Sequence, residues 1–328
     1  MNNITLMICL SISFFAALLL IPLWIKKAVR GGLVGKDIHK LDKKPVAEMG
    51  GIVVVISFLL GVFTYVALTI NHPSTENNTA MILGIIASLL ITTLIGVVDD
   101  VLGWKIGLRQ FEKPLVTLLA VVPIAVLVGI NHELMIPFFG ALDLGIFYPL
   151  VFIPLLMLFT TNSFNMLEGY NGLGAGQGII ILSTLGLMAF HFGKFWPGAI
   201  AFTMVFALVA FIAYNFYPAR VFPGDSLTYS VGALVGIIAV VSKLEHVLVI
   251  IMIPYFLEFV LKLRGKMQVE SFAKLNKDGS LYIPYIYGLE HLMIKIIGKF
   301  KKAREYDVVI GIWLFQIILC LLAWMVYV

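Results

Sequence analysis

The stretch TTNSFNMLEGYNGLGAG, residues 160–176, places polar side chains and glycines between two apolar runs. Its polar residues include Asn162, Asn165, Glu168 and Asn171. Turn formation could explain the asparagines, because asparagine side chains hydrogen-bond to nearby backbone in turns. Carboxylate and amide oxygens are also the ligands that Mg²⁺ and Mn²⁺ prefer. The stretch is therefore either a turn or part of a metal and phosphate site.

Three further acidic clusters lie at the ends of apolar runs. GKDIHK contains Asp37 and Lys40, GVVDDVLG contains Asp99 and Asp100, and VFPGDSLTY contains Asp225. Asp225 could simply cap the helix that follows it, since acids are favoured at helix N-termini. Asp99 and Asp100 are harder to explain, because two adjacent carboxylates repel each other at the negative end of a helix. We expect a cation near this pair.

Together the clusters predict phosphoryl transfer. Mg²⁺ usually takes one or two carboxylates from the protein and leaves its other positions to water and substrate phosphate. Lys40 and Lys113 could complete such a phosphate site, and the protein would mainly position reactants and neutralise charge. The sequence has no Walker-type or G-x-G-x-x-G loop, so no soluble nucleotide-binding domain is implied. The six dispersed histidines argue against a zinc site.

Composition determines which elements must position these residues. Of the 328 residues, 61% are hydrophobic and 12% are charged, whereas soluble domains carry about 25% charged residues. Several apolar runs reach the roughly 20 residues that cross a bilayer as helix, and they are continuously apolar rather than alternating. We predict an all-α polytopic membrane protein, one domain over 1–328. The ten predicted spans are about 4–25, 50–70, 80–98, 114–130, 146–165, 174–192, 196–217, 226–241, 245–263 and 307–327.

The basic residues predict an orientation. All but two of the 23 Lys and Arg residues, Lys194 and Lys243, fall in odd-numbered loops between these spans. Basic loops stay in the cytoplasm, so we expect both termini outside. The four polar clusters also belong to odd-numbered loops, so the site is expected at the cytoplasmic face.

The last cytoplasmic loop, 264–306, is the only long one. In KLNKDGSLYI, Asp278-Gly279 is a turn signal that predicts a short hairpin. The sequence GLEHLMIKIIGKFKKAR then predicts an amphipathic helix at the membrane surface, near anionic head groups. Its predicted apolar face comprises Leu289, Leu292, Met293, Ile296, Ile297 and Phe300.

In these motifs the sequence resembles the polyprenyl-phosphate N-acetylhexosamine-1-phosphate transferases. It is similar to the eukaryotic and archaeal branch, which uses UDP-GlcNAc and dolichyl phosphate, and more distantly to the bacterial phospho-MurNAc-pentapeptide translocase. The resemblance runs from about Gly35 to Gly279 and is carried by GKDIHK…P…GG, VDDVLG, NSFNMLEGYNGLGAGQ and YPARVFPGDSLTY.

The resemblance implies an activity. Such enzymes move a sugar 1-phosphate from a UDP-sugar to a polyprenyl or dolichyl phosphate and release UMP, using Mg²⁺ (with Mn²⁺ possible). This is the first committed step of lipid-linked glycan assembly, as in protein N-glycosylation. The implied partners are UDP-N-acetylhexosamine, the lipid phosphate and the bilayer, with a homodimer possible and no nucleic acid.

The resemblance also implies residue roles. Asp225 and Asn165 would hold the metal, Asp99 and Asp100 would be the catalytic acids, and Lys113 would contact phosphate. The expected substrate-binding residues are Asp37, Lys40, Glu48, Asn162, Glu168, Gly169, Asn171 and Phe222. Phe222 would stack on the uracil. Relatives have other residues at position 168, so no specific role is carried over to Glu168.

Two departures from the family pattern leave alternatives open. The family has a histidine/arginine motif in the long cytoplasmic loop, whereas the aligned stretch here is QVESFAKLN, with Glu270 and Ser271. Lys266, Lys274 or Arg264 could substitute for that motif. The spacing from Asp100 to Lys113 is also longer than in the eukaryotic enzymes, so Arg109 competes with Lys113.

A secondary transporter or lipid flippase is the alternative function. It would carry ionisable residues near mid-membrane and broken helices in paired repeats, whereas here the acidic cluster lies at one face and no internal repeat is evident. The sugar, the lipid, and direct displacement versus a covalent aspartyl intermediate also remain open.

Overall fold

The computed structural model describes residues 3–42, 44–70, 76–106, 112–129, 133–136, 140–269 and 271–328. The helices are α1 (Asn3–Gly31), α2 (Gly51–Thr69), α3 (Glu76–Ile106), α4 (Glu112–Thr117), α5 (Val122–Val128), α6 (Ile153–Met166), α7 (Leu173–His191), α8 (Phe195–Asn215), α9 (Asp225–Ser242), α10 (Glu245–Ile251), α11 (Ile253–Arg264), α12 (Leu289–Ile297) and α13 (Glu305–Tyr327). The strands are β1 (Val34–Lys36), β2 (Pro45–Ala47), β3 (Glu133–Ile136), β4 (Gly140–Asp143), β5 (Lys274–Leu275) and β6 (Leu281–Tyr282), paired as three two-stranded hairpins.

The helices confirm a polytopic membrane protein. Within the described ranges, eight helical segments are long and apolar enough to span a membrane, one of them α6 together with the π-helical segment Tyr148–Phe152 that precedes it. The pair α10–α11, bent by 59°, would make a ninth. The predicted fourth span, 114–130, differs from expectation. It is built from α4, a 3₁₀ turn over Leu118–Val121, and α5. Pro123 lies in the first turn of α5 and has no amide hydrogen to continue a preceding helix.

Helix α9 lies at the centre of the bundle, where nearly all of its side chains are buried. It packs against α3 and α6, and also contacts α2, α7 and α8. The closest approaches occur at glycines. A Cβ at Gly96 of α3 would collide with the backbone at Ser226, and a Cβ at Gly232 of α9 would collide with the backbone of α6. Backbone-to-backbone packing therefore sets the spacing of α3, α6 and α9.

The β1–β2 hairpin joins the first polar cluster to the start of α9. The Phe222 amide donates to the Ala47 carbonyl at 2.7 Å, and the Gly50 amide donates to the Phe222 carbonyl at 2.9 Å. The segment that precedes Asp225 is therefore hydrogen-bonded to the loop that contains Asp37.

The segment between α11 and α13 contains both predicted elements. Strands β5 and β6 form the hairpin, and the carboxylate of Asp278 accepts the Ser280 amide in its turn. Helix α12 forms as expected, but it packs on α11 and α13. Leu289 is buried, and Leu292, Met293 and Ile297 pack against the hydrophobic core. Ile296 and Phe300 are 44% and 85% exposed. Much of the predicted apolar face thus contacts protein, and only its end is free for other surfaces.

Candidate active site

Three helix ends bring the strongest polar residues together. Asp99 and Asp100 lie near the end of α3, Asn165 lies in the last turn of α6, and Asp225 begins α9. The glycine contacts described above hold these ends against one another. Residues more than 100 positions apart in the chain therefore share one site.

Lys113 lies between two of the carboxylates. Its Nζ is 2.5 Å from Asp99 Oδ2 and 3.2 Å from Asp225 Oδ2. Burial disfavours the ammonium, but the charges of Asp225 and Asp99 outweigh burial and raise the pKa of Lys113 above its usual value. Lys113 is thus the cation that the acidic pair requires. Its competitor Arg109 lies outside the described residues.

Asp100 has a different environment from its neighbour. Its carboxylate accepts the backbone amides of Asp225 at 2.8 Å and Ser226 at 3.3 Å. It therefore caps α9 from another helix and satisfies amides that a helix N-terminus leaves free. Gly224 precedes these amides with a φ of 70°, and a Cβ there would contact Asp100 Oδ2. The suggestion that Asp225 itself caps α9 is wrong, because Asp225 is the first helical residue and its carboxylate faces Lys113 and Asn165.

Asn165 contacts the same carboxylate. Its Nδ2 donates to Asp225 Oδ1 at 2.7 Å and to Thr228 Oγ1 at 2.9 Å. A half-turn of the amide exchanges its nitrogen and oxygen without moving the backbone. Asp99, Asp225 and Asn165 then present carboxylate and amide oxygens, the hard donor set suited to Mg²⁺ or Mn²⁺. The residues fit such an ion.

A cavity of about 970 Å³ opens beside this cluster. It is lined by residues from three of the four sequence clusters, and no residue of GVVDDVLG lines it. The lining includes most of the expected substrate residues, Asp37, Glu48, Glu168, Gly169, Asn171 and Phe222, and the expected metal ligands Asn165 and Asp225. It is also lined by His39, Tyr170, Phe272 and Glu305, which the sequence analysis did not select. Glu305 had a detectable signal, since it is an acid at the predicted inner end of the last span.

One wall of this cavity is a hydrogen-bonded network. Asp37 Oδ2 accepts from Lys40 Nζ at 3.0 Å and from Asn171 Nδ2 at 2.7 Å. The backbone amide of Asn171 donates to Glu305 Oε1 at 2.8 Å, and Lys40 also donates to the Ala219 carbonyl. Lys40 and Asp37 therefore fix the position of Asn171.

His39 completes that wall. Its ring stacks on Tyr170 with centroids 4.6 Å apart, and burial lowers its pKa to about 4, so the imidazole is neutral at physiological pH. Ligand atoms of Asp37, His39 and Glu305 lie within 4.8 Å of one another and could hold a metal. This group includes an imidazole nitrogen, whereas the cluster around Asp225 offers only carboxylate and amide oxygens and is therefore the better site for a hard cation.

The Glu168 residue as a whole is half-buried, but the end of its side chain is shielded from solvent. Its Oε2 is inaccessible to solvent and has no hydrogen-bond partner among the described residues. Burial raises its pKa to about 8, with a further contribution from the Asp225 charge. Most Glu168 side chains are therefore protonated at neutral pH and carry no charge into the site.

A second cavity, of about 510 Å³, adjoins the first. It has polar residues at one end, among them Lys113, Asn162 and Asn165, and is otherwise lined largely by apolar side chains of α6 and α11. Asn162, whose Nδ2 donates to the Leu158 carbonyl at 2.9 Å, lines this second cavity and not the larger one. Asn165 lines both cavities, which therefore meet at the acidic cluster.

The stretch QVESFAKLN, which departs from the family's histidine/arginine motif, is held against α11. Ser271 Oγ donates to Glu258 of α11 at 3.1 Å, so the aligned stretch is anchored on that helix, while Glu270 lies outside the described residues. Lys266, Lys274 and Arg264, the expected substitutes, line neither of the two cavities in the described structure.

Comparison with known proteins agrees with this geometry. The Glycosyl transferase family 4 profile matches residues 81–243. A Saccharolobus solfataricus protein with the provisional name UDP-N-acetylglucosamine–dolichyl-phosphate N-acetylglucosaminephosphotransferase is 37% identical over 98% of this chain and 97% of its own. A Sulfolobus acidocaldarius protein of the same provisional name is 35% identical over 89% and 87%.

A bacterial relative extends the comparison. The phospho-N-acetylmuramoyl-pentapeptide-transferase of Clostridium botulinum is 29% identical over 84% of this chain and 85% of its own. Site geometry, family profile and near full-length similarity agree: the chain belongs to the polyprenyl-phosphate N-acetylhexosamine-1-phosphate transferases of glycosyl transferase family 4.

Proposed function

We propose that this sugar-phosphate transferase moves N-acetylglucosamine 1-phosphate from UDP-GlcNAc to a polyprenyl phosphate of the dolichyl type, with release of UMP. The meeting of a polar and an apolar cavity at Asn165, beside Asp225 and Lys113, carries the proposal. The names of the two archaeal relatives support the choice of sugar and lipid.

The larger cavity suits the sugar nucleotide. Phe222 offers an aromatic face on which the base can stack, because stacking on an aromatic ring accepts any base. Asn171 is held rigidly by Asp37 and Glu305, which favours hydrogen bonding to the uracil edge or ribose in a fixed orientation. Gly169 also lines this cavity, and a Cβ at this position would press on the carboxylate of Glu290.

The smaller cavity suits the acceptor. Leu155, Leu158 and Phe159 of α6 lead from the lipid-facing side of the bundle toward Asn162 and the active site. Leu155 is 60% exposed, so the cavity opens where a spanning helix meets lipid. A prenyl chain would lie along this wall, with its phosphate at the polar end.

The chemistry needs little from a general base. The second pKa of a phosphate monoester lies near 6, so the acceptor is largely a dianion at neutral pH. One of its oxygens forms a bond to the sugar-bearing phosphorus, the bond from that phosphorus to the bridging oxygen breaks, and UMP leaves. Asp99 is paired with Lys113 and therefore orients that cation rather than serving as an obligatory base.

Asp225, Asn165 and Asp99 would hold a divalent ion. A bound Mg²⁺ offsets the charge of two anionic substrates and of the transferring phosphoryl group. Asp100 supports this set indirectly, because it fixes the first turn of α9 and hence the position of Asp225.

The positive-inside rule supports a cytoplasmic site with both termini outside. Single cysteines introduced at Lys194 and Lys277 would then react with impermeant maleimide from opposite sides of the membrane. Labelling of both from the same side would contradict this topology.

Turnover with radiolabelled UDP-GlcNAc, polyprenyl phosphate and Mg²⁺ tests the activity directly. We expect labelled lipid and an equal amount of UMP, and a panel of UDP-sugars identifies the preferred donor. Asp225→Asn should lose most activity and require more Mg²⁺, whereas Asp278→Asn, an exposed acid in the β5–β6 turn, should behave as wild type. Transport of substrate without UMP release would refute the proposal and favour a transporter.

A further inference from the structure

Lys262, near the end of α11, lines the same cavity as Lys113. Its side chain is only 13% exposed. Its Nζ donates to the Val269 carbonyl at 3.0 Å, in the stretch that aligns with the family's missing basic motif. That stretch brings no lysine or arginine of its own into either cavity where it is described, but it holds a lysine from the neighbouring helix.

The charge of Lys262 is only partly used by the protein. Among the described residues, its nearest carboxylate oxygen is Glu258 Oε1 at 3.8 Å, which is too long for a hydrogen bond. Glu258 also accepts from Ser271 Oγ and from the Leu289 amide, at 3.1 and 2.5 Å. An ammonium has three donors, and one of them is directed to Val269. Within the part of the chain that the structure describes, Lys262 therefore keeps donors for a ligand.

Lys113 differs in this respect. It is committed to Asp99 and Asp225, so much of its charge is already neutralised. A phosphate dianion at the polar end of the cavity would meet these two carboxylates as well as one lysine. Beside the proposed divalent ion, a further cation would favour binding of such a ligand, and Lys262 reaches the same cavity from the α11 wall.

The side chains on the α6 and α11 walls of this cavity indicate which class of ligand fits it. On α6, Leu155, Leu158 and Phe159 share a helical face with Asn162, at spacings of three, four and seven residues. On α11, Phe259 precedes Lys262 by three residues and also lines the cavity. Both walls therefore carry apolar side chains next to polar ones, which matches an amphiphile with an anionic head and an apolar chain.

We propose that Lys262 binds the acceptor phosphate, together with Lys113, while the prenyl chain lies between α6 and α11. This inference rests on the proposed function and adds a binding residue to it. In this assignment α11 supplies a positive charge to the cavity proposed for the acceptor and none to the nucleotide cavity.

Steady-state kinetics of Lys262→Gln test this assignment. Hydrogen bonds to charged groups contribute about 1.5–3 kcal/mol, so the KM for polyprenyl phosphate should rise about tenfold or more. The KM for the UDP-sugar should stay within about twofold by the same reasoning, since Lys262 does not line the nucleotide cavity. Lys262→Arg should recover most of the acceptor affinity. Lys295→Gln removes the same charge from an exposed position on α12 and should match wild type.

A binding measurement separates this inference from the proposed function. Purified protein without UDP-sugar is titrated with farnesyl phosphate and, separately, with farnesol. Wild type should prefer the phosphate, and Lys262→Gln should lose that preference while binding farnesol as before. If Lys262→Gln is unstable, Lys262→Met keeps the aliphatic stem and serves the same comparison.

The outcomes are distinct. An unchanged acceptor KM and an unchanged phosphate preference in Lys262→Gln would overturn the inference. A parallel loss of affinity for both substrates would also overturn it, since it would indicate that Lys262 only anchors Val269. If wild type bound farnesyl phosphate through Lys262 but released no UMP, the proposed function would fail and the binding role would stand.

Discussion

Asp100→Ala should weaken the protein by freeing the start of α9. The substitution removes an acceptor from the amides of Asp225 and Ser226, at 2.8 and 3.3 Å. Hydrogen bonds that involve a charged group contribute about 1.5–3 kcal/mol each, whereas losing a helix cap costs about 0.5–2 kcal/mol because water replaces part of the interaction. Two bonds on the first scale would total about 3–6 kcal/mol, so we expect a loss between the two scales, of about 2–4 kcal/mol. Asp100→Asn keeps one acceptor oxygen and should lose about half as much.

Thermal unfolding in detergent, without substrate or metal, measures this loss. The apparent Tm should fall by several degrees in Asp100→Ala and by less in Asp100→Asn. Asp42→Asn is the control, because it changes an exposed carboxylate that pairs with Lys44 at the surface, away from the amides of α9. Gly224→Ala should resemble Asp100→Ala, since a Cβ at that position of positive φ would press on the same carboxylate.

Activity distinguishes positioning from direct participation. If Asp100 acts through α9, the Mg²⁺ concentration needed for half-maximal rate should rise in step with the loss of stability across the Asn and Ala variants. An inactive Asp100→Ala protein with an unchanged Tm would contradict the reasoning and make Asp100 a direct participant.

The other predictions concern single side chains of the site. Lys113→Met leaves Asp99 and Asp225 without their shared cation, so turnover should fall by about 100-fold or more, with partial recovery in Lys113→Arg. Phe222→Ala should raise the KM for UDP-sugar roughly tenfold, since base stacking is worth about 1–3 kcal/mol, while Phe222→Tyr should remain near wild type. Burial raises the pKa of Glu168 from its ordinary value of 4.5 to about 8. The unfolded chain therefore ionises first, and wild type should lose stability relative to Glu168→Gln as pH rises from about 4.5 to 8. Equal Tm differences at pH 5 and pH 8.5 would contradict that pKa.

Spanning helices and local turns were predictable because they depend on nearby residues. Continuous apolar runs marked the eight to nine helices, and Asp278-Gly279 marked the β5–β6 hairpin. The fourth predicted span was less accurate, because mean hydropathy does not detect the break in the helix that Pro123 introduces. The apolar face of α12 was recognised, but its contact with α13 depends on tertiary packing that periodicity alone does not contain.

The sequence predicted which residues form the site, but not which partner each of them contacts. Adjacent helical residues point about 100° apart, so Asp99 and Asp100 must face different partners, and only the packed helices decide which. The wall formed by His39, Tyr170 and Phe272 joins residues from three separate segments. This wall depends on contacts between residues that are far apart in the sequence, so no local sequence pattern predicts it.

The direct contact of helix backbones at Gly96 and Gly232 has a mechanical consequence. Bilayers thin, thicken and bend, and side-chain-filled interfaces can slide or tilt in response. Where two main chains touch without side chains between them, little room is left for such movement. The distances among the acids of the transferase are thereby insulated from deformation of the surrounding lipid.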